Sequence, residues 1–143
     1  MRNSYPCEFA FPLEARPWPA RLLGVEPLRR GTVELCKALR RRGWKLWVYT
    51  TSLRSPLEVR LQFLLHGVWL EGVVNHDRHV RRLAAGRPGG HECSKYPPAF
   101  RIDLLIDNSA GVWEEGRRFG FRVQVVRPDD DGWAGAVLRA AGA

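Results

Sequence analysis

No aspartate occurs ahead of Asp77. That absence excludes any paired-aspartate chemistry in the first half of the chain. Cysteine is also scarce: Cys7, Cys36 and Cys93 are odd in number and widely spaced. Such spacing excludes a disulfide framework and fits reduced thiols. No apolar run approaches the length that crosses a bilayer, so a membrane partner is not expected. The opening stretch "MRNSYPCEFAF" lacks the apolar centre of a secretion signal, and the chain reads as cytoplasmic. Internal repeats and low-complexity segments are missing too.

The 143 residues suffice for one domain, 1–143, with its own core. Apolar residues make up 45% and charged residues 27%, an ordinary balance for a globular protein. Charge is less ordinary. Lysine and arginine number 23 against 15 acidic residues, for a net charge of +8. Arginine clusters in "RRR" (40–42) and "RHVRR" (78–82). Such runs can attract nucleic acid or another polyanion. A solvated basic surface accounts for them as well and is the favoured reading. Arg40 to Arg42 fall where a helix should end, and cations suit that end of the helix dipole. No nucleic-acid-binding signature accompanies the runs, and the tryptophans do not interleave with them as a stacking platform would.

Apolar runs alternate with helical periods. Strands are expected at 5–11, 45–50, 72–75, 102–107 and 121–126. Helices are expected at 30–43, 55–67, 111–120 and 133–141, with a single helical turn near 79–85. Residues 12–28, with four prolines, read as an irregular packed loop. Unbroken apolar strands alternating with helices predict an α/β protein. The expectation is a three-layer Rossmann-like fold, with a central parallel sheet of about five strands and helices on both faces.

In such a fold, ligands sit beyond the carboxyl ends of the strands. Thr50, Thr51 and Ser52 end the second strand, and hydroxyls there can bind an anion together with backbone N–H groups. They can equally be helix caps. Asp107 and Asn108 end the fourth strand in "DLLIDNS" and offer oxygens of the kind Mg²⁺ takes. Lys95 precedes that strand and can neutralise a phosphate.

The order of these residues resembles the haloacid dehalogenase-like (HAD) superfamily of phosphohydrolases, over about residues 30–126. "LWVYTTS" looks like its second motif, with Thr50 in the motif position. Lys95 matches the third motif, and "LLIDNSAGVWEEGRRFGFRVQVV" the fourth. The resemblance implies a minimal, capless member. It also implies that Thr50, Thr51, Ser52 and Lys95 bind substrate, and that Asp107, Asn108 and the first motif hold Mg²⁺.

The first motif departs from the family. Asp-x-Asp is replaced in "CEFAFP", which places Glu8 at the nucleophile position and Ala10 at the acid/base position. Covalent phosphoryl transfer needs a carboxylate about 3 Å from phosphorus, and the extra methylene of Glu8 shifts its oxygens by more than an ångström. A misplacement of that size reduces the rate on the order of 100-fold, and a missing general acid/base by roughly 100-fold more. Glu8, Asp107 and Asn108 would make a weakened metal site. The expected function is therefore a catalytically degenerate phosphatase-like protein that binds a phosphorylated small molecule or a protein partner. A divergent Mg²⁺-dependent phosphohydrolase using Glu8 and Asp107 is the alternative, and a polyanion-binding or nucleic-acid-binding protein the next. His76, His79, His91 and Cys93 carry zinc-ligand chemistry, but their spacing matches no zinc site we can assign.

Overall fold

The computed structural model describes residues 12–85 and 93–142. Glu14 makes the first tertiary anchor. Its carboxylate accepts hydrogen bonds from Gly31 N (3.0 Å) and Val33 N (3.3 Å), which caps the second helix from a distance. The helices are α1 (Trp18–Leu22), α2 (Thr32–Arg41), α3 (Pro56–Leu65), α4 (His76–Ala84), α5 (Ala110–Phe119) and α6 (Trp133–Gly142). Ser55 caps α3 by accepting from Glu58 N, with Pro56 at its first position. Ser109 caps α5 in the same manner, and Gly120 ends it in the left-handed conformation.

The strands are β1 (Trp47–Tyr49), β2 (Gly72–Val74), β3 (Leu105–Asp107) and β4 (Val123–Val125). They pair two and two. β1 lies parallel to β2, with Trp47 opposite Gly72 and Tyr49 opposite Val74. β3 lies parallel to β4, with Leu105 opposite Val123 and Asp107 opposite Val125. No ladder joins the two pairs among the described residues. A cavity of about 740 Å³ lies between β1 and β3, lined by Lys45 to Tyr49 on one side and Arg101 to Ile106 on the other.

This corrects the expected architecture. Among the described residues, six helices and two short parallel pairs do not make a three-layer Rossmann-like fold with a five-strand central sheet. Apolar runs report burial, and burial does not specify a ladder partner. "KLWVYT" and "IDLLID" are buried by helices and by each other's side chains without exchanging hydrogen bonds. The strand expected at 5–11 lies outside the described residues. Two smaller differences have local causes. Asn75 accepts from Arg78 N, so the cap starts a full helix at 76 in place of a single turn. Within 12–28, Pro19 near the start of "WPARL" supports the short helix α1.

Two apolar clusters hold the structure. The larger packs Leu35, Leu39, Val59, Val73, Trp133 and Val137, so α2, α3, β2 and α6 share it. The smaller joins Tyr49, Val74, Leu105 and Val112, and bridges the two strand pairs through side chains alone. Burying each Val side chain stabilises by about 1.5–3 kcal/mol relative to exposure. No described helix is long and apolar enough to cross a membrane.

Candidate functional site

Asp107 closes β3 and is buried at 8% exposure. Its Oδ2 accepts from Lys95 Nζ at 2.5 Å, and its Oδ1 accepts from Ser109 N at 2.9 Å. The Lys95 side chain is 16% exposed and that of Asp107 6%. The ion pair is thus mostly removed from water. Lys95 reaches it because its neighbours are anchored on both sides. Glu115 of α5 accepts from Ser94 N and from Ser94 Oγ (2.9 Å), and Tyr96 N donates to Tyr49 Oη at 3.0 Å. Nothing local in "WEEG" marks Glu115 as the clamp on a loop far away in sequence.

Thr50 and Ser52 come together at the end of β1. Thr50 Oγ1 accepts from Ser52 N (3.1 Å) and donates to Ser52 Oγ (3.0 Å), while Ser52 Oγ accepts from Arg54 N (3.4 Å). These are local turn bonds and not a helix cap, since Ser55 caps α3, and they compete with a binding role. Thr51 is exposed. No hydrogen bond links the Thr50–Ser52 group to the Lys95–Asp107 pair among the described residues. They are connected one residue away, by the Tyr49–Tyr96 bond. Asn108 is exposed, and Glu8 lies outside the described residues.

Among the described residues, Asp107 and Asn108 do not by themselves complete the Mg²⁺ site that the resemblance implies, whose third ligand, Glu8, lies outside them. Each Asp107 oxygen already accepts an N–H, one of them from a cation. Among the described residues no three His, Cys, Asp or Glu side chains gather to hold a metal. Asp107 alone falls far short of six oxygen ligands. The zinc-type residues are also dispersed. His76 is exposed, His91 lies outside the described residues, and His79 uses both ring nitrogens elsewhere.

His79 belongs to a buried relay that sequence alone does not show. Its Nδ1 hydrogen-bonds Tyr49 Oη, and its Nε2 lies 3.2 Å from the Cys93 carbonyl. The pattern is satisfied when Tyr49 accepts from Tyr96 N, donates to Nδ1, and a neutral imidazole donates from Nε2. Burial pushes the Tyr49 hydroxyl up to about 12; the Tyr96 N–H opposes this and Cys93 adds to it. Burial also pushes His79 below the ordinary imidazole range, and His76 adds to that, while the Cys93 carbonyl and Glu115 oppose it.

A folded-state pKa below the unfolded value means that the unfolded chain takes the proton first. Stability from neutral His79 is present above the ordinary histidine value of about 6.5 and is lost as pH falls through the depressed folded value. The melting temperature is therefore expected to drop between pH 7.5 and pH 5, and His79→Gln to flatten that drop. Equal slopes for the two proteins would show that His79 does not carry it.

No protein-family model matches this chain, and a search of curated proteins finds no match either.

Proposed function

We propose that the protein is a catalytically degenerate, phosphatase-like binding protein. It holds a phosphorylated ligand at the carboxyl ends of β1 and β3 and does not turn it over. The observation that carries this reading is the buried Lys95–Asp107 pair. It joins the residues matching the third and fourth HAD motifs, and the Tyr49–Tyr96 bond holds it near the Thr50 group. Lys95 supplies the positive charge, while Thr50, Ser52 and the capped start of α5 supply hydroxyl and N–H donors. Asp107 balances Lys95, so it tempers affinity for an anion.

The chemistry favours binding over turnover. Both oxygens of Asp107 are engaged by N–H donors, which leaves it poorly placed to attack phosphorus. Calorimetric titration with phosphoserine is expected to give one site per chain, unchanged by Mg²⁺. Lys95→Gln should weaken it by about tenfold, the loss of a charge-assisted hydrogen bond worth ~1.5–3 kcal/mol. Asp107→Asn should tighten it, because Lys95 loses its counter-charge. Turnover of an aryl phosphate that stops with EDTA and with Asp107→Asn would replace this reading with the divergent phosphohydrolase.

A further inference from the structure

We propose a second anion site, a groove at the opposite ends of the strands, that takes a small ligand carrying a contiguous run of phosphates. The groove is an open depression of about 650 Å³, lined by Trp47, Arg78, Arg81, Arg82, Phe100 and Arg101 among others. Trp47 opens β1 and Arg101 precedes β3, whereas Thr50 follows β1 and Asp107 closes β3 at the far ends of the same strands.

The sequence places three of the arginines. Arg78, Arg81 and Arg82 stand at i, i+3 and i+4 of α4 and so share one helix face. The fourth is placed by an unusual backbone. Arg101 adopts φ 57° and ψ 37°, and it is the one positive-φ residue other than glycine among those described. A bulky residue held there is strained, and strain of this kind tends to mark functional sites.

None of the four guanidinium groups is ion-paired among the described residues, and no acidic residue lines the groove. Arg78 donates to the Val73 carbonyl at 2.8 Å, Arg81 to the Asp77 carbonyl at 3.4 Å, and Arg82 to the Ala99 carbonyl at 3.2 Å. These bonds fix the side chains and use only part of their donor sets, since each guanidinium has five N–H groups. Four like charges around one concavity repel one another until an anion enters.

The aromatic lining narrows the ligand class. Arg78 lies 5.4 Å from the ring centroids of both Trp47 and Phe100. Those rings are thus occupied by a cation and are poorly placed to stack on a base. The groove itself is open to solvent, so the ring contacts carry the preference for a polyphosphate chain over a nucleic-acid strand. Several adjacent phosphates also engage four guanidinium groups better than a single phosphate does.

The test is calorimetric titration of the full chain at ~150 mM salt, where non-specific phosphate contacts fade. Inorganic tripolyphosphate is expected to bind one per chain, at least about tenfold more tightly than orthophosphate. ATP should bind no more tightly than tripolyphosphate, since its base finds no open aromatic face. Arg101→Gly should weaken tripolyphosphate by about tenfold without lowering the melting temperature, because glycine suits φ 57°. Arg82→Gln should act in the same direction, and Lys95→Gln should leave tripolyphosphate binding unchanged, which separates this groove from the first site. Equal affinity for orthophosphate, full affinity in Arg101→Gly, or tighter binding of a single-stranded oligonucleotide would each overturn the proposal.

Discussion

Replacing Lys95 with Met is expected to destabilise the protein by about 3 kcal/mol, because it leaves the Asp107 carboxylate buried without its cation. The pair sits at 16% and 6% side-chain exposure, so solvent can take over little of the lost interaction. What remains to Asp107 is the single N–H of Ser109. The damage should reach beyond the pair. The segment around residue 95 would lose one of its four anchors, and the start of α5 would carry an unbalanced charge. A second substitution separates this account from simple loss of packing. Adding Asp107→Asn to Lys95→Met removes the stranded charge while keeping an oxygen for Ser109 N. The double variant should recover more than half of the loss. Urea unfolding of the wild type, both single variants and the double variant gives the coupling directly. A single-variant effect below about 0.5 kcal/mol, the level of ordinary surface substitutions, would mean that the pair is effectively solvated.

Gly72→Ala should lose a comparable amount, about 3 kcal/mol, at the upper end of the usual range for overpacking a core. Gly72 faces Trp47 across the β1–β2 ladder. A Cβ at position 72 would fall on the six-membered part of the indole, closer than atoms can approach. To make room, the ring must leave its contact with Arg78, which lies over it at 5.4 Å, or the backbone of β2 must shift and carry Val73 and Val74, both fully buried, with it. Trimming the obstacle tests the cause. Gly72→Ala combined with Trp47→Leu should be more stable than the sum of the single effects predicts. Strict additivity between the two would rule out the ring contact as the source.

The two predictions rest on residues that were not equally legible. Lys95 and Asp107 stand out in sequence because each is a charged residue next to an apolar run, in an order that matches known motifs. Their meeting needs only that the loop before β3 folds back on it. Gly72 gives no such signal, since its role depends on which strand lies opposite and which residue is in register. The same limit explains the overturned sheet. Periodicity in "KLWVYT" and "IDLLID" reports that both segments are buried, but the hydrogen-bond partner of a strand is a long-range choice. Tyr49, His79 and the Cys93 carbonyl form one relay from three distant segments, and no local pattern announces it. His79 instead looked like half of an H-x-x-H metal pair. The helix caps were the most local features. Ser55 is legible from its neighbours, whereas Asn75 reads as a strand end, because a cap and a strand terminus occupy the same place in the chain.

Trp133 draws the last described helix back to the second one. Its indole N–H donates to the Arg30 carbonyl at 3.2 Å, Gly31 lies against its ring, and Arg29 stacks over it at 4.6 Å. With Val137 it covers Leu35 and Leu39 of α2. On the ribosome these partners are far apart in time. The apolar face of α2 emerges early, while its cover is synthesised after every other described element. Until α6 arrives, that face must stay uncovered, find a temporary partner, or be held by a chaperone. The same stitch makes the chain a closed loop of dependencies, so neither strand pair can complete its shared core from its own half of the chain.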